Sequence, residues 1–201
     1  MSEIKVDVVS PYTGTSMTVG ESGDTVTCSG TAVGFGGGKV LQVVSTSKTG
    51  TFSYTSSSST VWTDITGLSL SITPAATTSK ILITFSVNTS WGGGNYRHML
   101  RIYRNTTAIA IGDTSGNRTG TFTHNVQSTD ADLMNFSGNY VDSPSTTSAT
   151  TYKMSIMKPG SSITAYVNQS FNAASSDYAS RGVSISTITA MELESATVTG
   201  T

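Results

Sequence analysis

Ser and Thr alternate with Val, Ile, Leu, Phe and Tyr along most of this chain, and that period of two constrains its fold more than any other feature. About one residue in three is Ser or Thr, whereas only 11% are charged. Helices call for Ala, Leu, Glu and Lys with apolar positions spaced at 3.6, and little of the sequence meets that requirement. Thr, Val, Ile and Tyr at alternate positions instead suit a pleated surface buried on one side. The clearest instance sets Ile81, Ile83, Phe85 and Val87 against Leu82, Thr84, Ser86 and Asn88. An all-β fold is expected. Disorder is the other home of Ser- and Gly-rich chains, but 8 Tyr, 6 Phe and 2 Trp with a net charge of −1 argue against it.

Residues 1–38 read differently from the rest. Ile4, Val6 and Val8 form one short alternating run, Met17 and Val19 a second, and Thr25 to Cys28 a third, before a glycine-rich joint ending at Gly38. Strands this short cannot enclose a core of their own. Three copies wound about one axis would bury Ile4, Val6, Val8, Val19 and Val26 against their symmetry mates, so a trimeric shaft or anchor is expected. Residues 39–195 read as a larger β domain, with 196–201 as a tail. Strands are expected at Val40–Ser45, Val61–Ile65, Leu68–Thr73, Lys80–Asn88, Tyr96–Arg104, Ala108–Gly112, Gly120–Val126, Met134–Val141, Thr151–Met157, Ser162–Asn168 and Gly182–Glu194. Turn signals such as Ser143-Pro144 and Pro159-Gly160 separate them. So many short antiparallel strands argue for a β-sandwich, most simply a jelly roll.

The composition excludes several classes. A net charge of −1 supplies no field to recruit nucleic acid. No run approaches the roughly eighteen apolar residues of a membrane span, so no membrane insertion is expected. Cys28 is the only cysteine, which excludes an intrachain disulfide. His98 and His124 are the only histidines, and no Gly-x-Ser-x-Gly elbow accompanies them. No catalytic residue, cofactor or metal is expected. Asp130 and Asp132, near Asn135, are the nearest approach to a cation loop, but they lack the Gly and Glu of a calcium-binding one.

Contact residues are sought in loops held by a rigid scaffold. Trp91 beside three glycines, in the stretch that ends at Tyr96, offers an aromatic face for sugar rings, and Asn95, Asn168, Gln169 and Asn172 offer amide hydrogen bonds. Trp91 has a second reading, as a plug for the sandwich end or the trimer axis. On the Tyr96–Arg104 strand, His98, Leu100 and Ile102 share one face, while Met99 and Tyr103 lie opposite beside Arg97 and Arg101. Met99 and Tyr103 are therefore expected at a subunit interface, with a covering loop as the alternative. Arg97 and Arg101 suit anionic sugars, phosphate or cross-subunit salt bridges equally.

Several segments together resemble fibre proteins of tailed bacteriophages, particularly those of marine and cyanobacterial hosts. They include Ile4 to Thr15 with Val19 to Val26, Gly38 to Val44, Gly67 to Pro74, Ser79 to Ile83, Val141 to Tyr152 and Ser186 to Glu192. Residues Trp91 to Asn135 carry none of the likeness. The resemblance implies a homotrimer with a β-sandwich head, carried on the virion and attached to another virion protein through its N-terminal segment. It implies adhesion to the host surface, a glycan being one possible receptor. A capsid decoration protein is the alternative, and a free carbohydrate-binding module or small hydrolase a third. The opening Met1-Ser2-Glu3-Ile4-Lys5 shows no secretion signal, which fits synthesis in a host cytoplasm.

Overall fold

The computed structural model describes residues 39–56, 61–91, 96–127, 133–157, 163–171 and 181–194. The chain divides into two units, Met1–Gly36 and Gly37–Thr201. The first, with Ile4, Val6, Val8, Val19 and Val26, lies outside the described residues, as does the 196–201 tail.

The regular structure among the described residues is entirely β. Its strands are β1 (Val40–Lys48), β2 (Phe52–Ser56), β3 (Trp62–Ile72), β4 (Lys80–Trp91), β5 (Tyr96–Arg104), β6 (Thr107–Ile109), β7 (Thr123–Gln127), β8 (Met134–Asp142), β9 (Thr150–Met157), β10 (Ile163–Val167) and β11 (Ser186–Leu193). All pair antiparallel, in two sheets. One has the order β1-β11-β4-β10-β2 with β8 also on β4; the other is β3-β9-β5-β6 with β7 also on β5.

The registers simplify this picture. β11 pairs with β4 from Ser86 to Lys80 and β10 from Trp91 to Thr89, so β10 and β11 are two halves of one row. β1 lies on β11 as β2 lies on β10, which makes a second broken row. β7 covers one half of β5 and β6 the other. Numbering the resulting rows from one to eight along the chain gives 1-8-3-6 in the first sheet and 2-7-4-5 in the second. That is the double Greek key of a jelly roll, the architecture expected from the sequence.

Alternation fills the space between the sheets. Ile81, Ile83, Phe85, Val87 and Trp91 of β4, with Ile188 and Ala190 of β11, share one core with residues of the second sheet. Those include Leu68, Leu70 and Ile72 of β3, Leu100 and Ile102 of β5, and Tyr152, Met154 and Ile156 of β9. The runs expected as two strands, Val61–Ile65 and Leu68–Thr73, are one strand whose register shifts between Asp64 and Ser69. Gly67 lies in that bulge with φ +83°, where the absence of a Cβ makes the left-handed conformation accessible. β2 was not anticipated: Phe52 to Ser56 is too rich in serine to stand out from its surroundings.

Two clusters of charged groups inside the sandwich are paired. Arg104 Nη1 donates to both carboxylate oxygens of Asp142, at 2.9 and 3.0 Å, and the Tyr152 hydroxyl donates to Asp142 Oδ2 at 2.6 Å. This cluster ties β5 and β9 to β8 in the opposite sheet. Burial, with the Asp142 carboxylate close by, pushes the Tyr152 phenol well above its usual pKa. Glu192 is fully buried. Burial alone raises a carboxyl pKa, but hydrogen bonds from Ser79, Gln42 and the Ala75 amide hold Glu192 below the usual range.

The outward face of the first sheet is graded. Val43, Met191, Leu82 and Val141 lie side by side across four rows, an apolar line on the solvent side. Val43 is 56% exposed, and Leu41 beside it 43%. The next line is Ser45, Thr189, Thr84 and Asn139; the one after is Ser47, Thr187, Ser86 and Ser137. Hydroxyls bond directly across these strands, as Ser45 Oγ does to Thr189 Oγ1 at 2.8 Å. Much of the chain's Ser and Thr is therefore the outer surface of a sheet.

Candidate functional site

A cleft of about 710 Å³ opens on the outward face of the second sheet, where β5 and β7 meet the loop between β6 and β7. The loop begins at Ala110 with φ +53° and turns at Gly116 with φ +59°. Its base is closed by the Gly112 amide, which donates to Thr121 O at 3.2 Å. Gly120 has no room for a side chain, since a Cβ there would stand 2.9 Å from Gly112 O. Arg101 fixes the same residue from below: Nε and Nη2 donate to Gly120 O at 2.9 and 2.5 Å. The Arg101 guanidinium also lies 4.1 Å over the Trp62 ring. Phe122 donates its amide to Leu100 O at 2.9 Å and sets its ring edge-on to Phe85, centroids 5.1 Å apart. The loop is thus held at its base from both of its ends.

Arg97 and Met99 line the cleft from the sheet, with His124 beside them on β7. Asp113, Asn117 and Arg118 line it from the loop. The ion pairs among the described residues are Arg104–Asp142 and Lys153–Asp64, so neither Arg97 nor Arg118 is matched with a carboxylate there. Nearby, Lys153 Nζ and Ser155 Oγ both donate to Asp64. Burial would raise the Asp64 pKa, but these hydrogen bonds and the Lys153 charge hold it down.

The residues singled out in the sequence are distributed otherwise. Trp91 is the last residue of β4, only 2% exposed, with its ring edge-on to His98 at 4.5 Å. It plugs the sandwich, in keeping with the second of its two readings, and offers no face to a ligand. Asn168 is fully buried, so it is not a surface contact. Its Nδ2 donates to Lys48 O at 2.7 Å and Gly50 O at 3.2 Å, while Oδ1 accepts from Ser186 Oγ at 2.5 Å. These bonds hold together the breaks in both interrupted rows. Gln169 is half-buried and bridges Val183, its carbonyl accepting from Ser90 Oγ at 2.7 Å. Tyr96 opens β5 opposite Gln127. Asn95, Asn172, Asp130 and Asp132 lie outside the described residues.

Met99 is half-buried in the cleft wall, next to the loop that partly covers its strand. Tyr103 is half-buried on the same outward face, its ring 5.6 Å from Lys153 Nζ. His98 is completely buried and bonded to Thr89 through Nδ1 at 2.5 Å. Burial lowers its pKa to about 3, so the ring is neutral at ordinary pH. Among the described residues no group of three or more His, Cys, Asp or Glu could hold a metal. No helix there is long and apolar enough to cross a membrane. Of the two arginines facing the cleft, the sequence pointed to Arg97 only; the signal for Arg118 was the four-residue spacing of Gly112, Gly116 and Gly120 around polar residues.

No family model matches the chain, and no curated protein is significantly similar in sequence. Among solved structures, one of infectious bursal disease virus Gx strain aligns with a TM-score of 0.42 at 12% identity, covering 85% of this chain and 47% of that one. One of the Gt strain aligns at 0.37 and 14%, covering 86% and 45%. The chain spans less than half the length of either. At these TM-scores neither likeness bears on what the protein does.

Proposed function

We propose that this protein is a structural component of a virus particle: a homotrimeric fibre of tailed-phage type, displayed for adhesion to the host surface. The observation that carries the reading is the apolar line Val43, Met191, Leu82 and Val141 on the outward face of the first sheet. A sandwich that stands alone has polar groups there, and an apolar strip flanked by exposed Leu41 and Val40 calls for a covering partner. A closed cyclic assembly covers three such strips with one kind of contact. The sequence resemblance to phage fibres supplies the particle, and the N-terminal segment its attachment to another virion protein. Weak host contacts, repeated three times, gain strength through avidity. Light scattering on the full chain tests the assembly: the expected mass is three times 20.9 kDa. Labelled antibody imaged on purified particles tests the location, with tail or fibre labelling expected. A monodisperse monomer, or absence from purified particles, overturns the reading.

A further inference from the structure

We propose that the cleft between β5, β7 and the 112–122 loop binds a carboxylate-bearing saccharide. Three kinds of surface meet there. Arg97 and Arg118 bring two guanidinium groups against the single lining carboxylate of Asp113, so the opening favours an anion. A guanidinium presents parallel N–H donors that match a carboxylate with two bonds, and neither of these has a protein carboxylate to satisfy it among the described residues. Met99 adds an apolar surface, and Phe122, its ring packed inward against Phe85, anchors the floor of the cleft. Asn117 and the loop threonines add donors and acceptors for hydroxyls.

A uronic or sialic sugar carries the complement of all three: a carboxylate, a ring with an apolar C–H face, and several hydroxyls. A bare phosphate would leave the apolar surface unused. A neutral sugar would leave the guanidinium groups without a charge partner. Nucleic acid requires a longer basic track than two arginines in a chain of net charge −1. The volume, about 710 Å³, lies within the usual range for small-ligand sites and accommodates one or two sugar residues. The base of the loop wall is set before any ligand arrives, because Arg101, Gly120 and the Gly112–Thr121 bond hold it. Less ordering is then left for binding to impose.

The inference deepens the adhesion reading and rests on it for its biological meaning, but binding itself is measurable on the purified full chain in any oligomeric state. Isothermal titration with tetragalacturonate is expected to show binding that weakens as salt is raised, with none for maltotetraose. Arg97→Gln combined with Arg118→Gln is expected to weaken it at least tenfold with an unchanged far-ultraviolet spectrum. Lys39→Gln, the same loss of charge at an exposed site outside the cleft, is expected to leave it within twofold. No binding of tetragalacturonate, equal binding of maltotetraose, or parental affinity in the double variant overturns the proposal. Light scattering on the same samples separates the two readings: a monomer that binds normally overturns the trimer alone.

Discussion

Asn168 has φ +65°, no exposure, and three side-chain hydrogen bonds that hold the first sheet together where two of its rows are interrupted. Asn168→Ala loses those bonds and keeps a Cβ in the left-handed region, a combined cost of about 2–4 kcal/mol. Asn168→Gly loses the same bonds but relieves the backbone, so it is expected to be less damaging by about 1 kcal/mol. Urea unfolding of the two variants separates the side-chain contribution from the backbone one. His98 makes a different demand. Its folded-state pKa, about 3, lies below the unfolded value of 6.5. As pH drops between these values the unfolded chain takes up a proton that the native state refuses, and stability falls. The loss is expected to be about 2 kcal/mol between pH 6.5 and 5. Asp64 and Glu192, whose carboxyls are held low, contribute their own losses only in more acid solution. Urea midpoints across that window should therefore slope in the parent and flatten in His98→Gln.

At the scale of strands, what could be read in advance was whatever depends on neighbours in the chain. The alternation of Ile81 to Val87 gave the inward face of β4, and His98, Leu100 and Ile102 gave that of β5. Contacts spanning many residues were beyond such reasoning. Asn168 reads as a polar residue at the end of a strand, and its burial depends on Lys48, 120 residues away. The apolar line on the outer sheet was equally hidden, since Leu82 and Met191 become neighbours only through their register. Trp91 beside glycines looked like a loop residue because the length of β4 is set by its partners β8 and β10. The loop of the cleft depends on β8 in the same way. Gly138 lies on the inward side of β8, where an added Cβ would stand 2.5 Å from the Phe122 ring. Gly138→Ala is expected to displace that ring from Phe85 and cost about 1–3 kcal/mol, measured as a drop in melting temperature. Because Phe122 lines the cleft, a chemical-shift map of this variant should show changes at Met99 and Thr121 as well.

For the molecule as a whole, the two outward faces carry different chemistry: hydroxyl lines with one apolar strip on the first sheet, and cations, carboxylate and aromatic rings on the second. Under the proposed assembly and the proposed cleft ligand these faces would divide the work, the first meeting copies of the same chain and the second the outside. Val43→Asp tests it. The side chain is exposed in the single chain, so the fold and its melting temperature are expected to survive. Placed in an apolar contact, the new carboxylate would be desolvated without a partner, so the trimer is expected to give way to a species of 20.9 kDa in light scattering. A trimer of unchanged mass would assign the strip some other occupant.

The interrupted row formed by β10 and β11 has an evolutionary consequence. Arg181 Nη1 donates to Phe171 O at 2.7 Å, so the chain returns to the point it left. Gln169 meets Val183, and Ser184 donates its amide to Asn168 O at 2.9 Å, before the ladder resumes at Ser186. The contact between Phe171 and Arg181 brings the two ends of the joining stretch together, the geometry in which insertions are best tolerated. A stretch whose ends are joined in this way is expected to accept insertions while the scaffold is inherited intact. Lineages facing a changing host would be expected to diverge there first, and an epitope spliced between those two residues should be carried without loss of the fold.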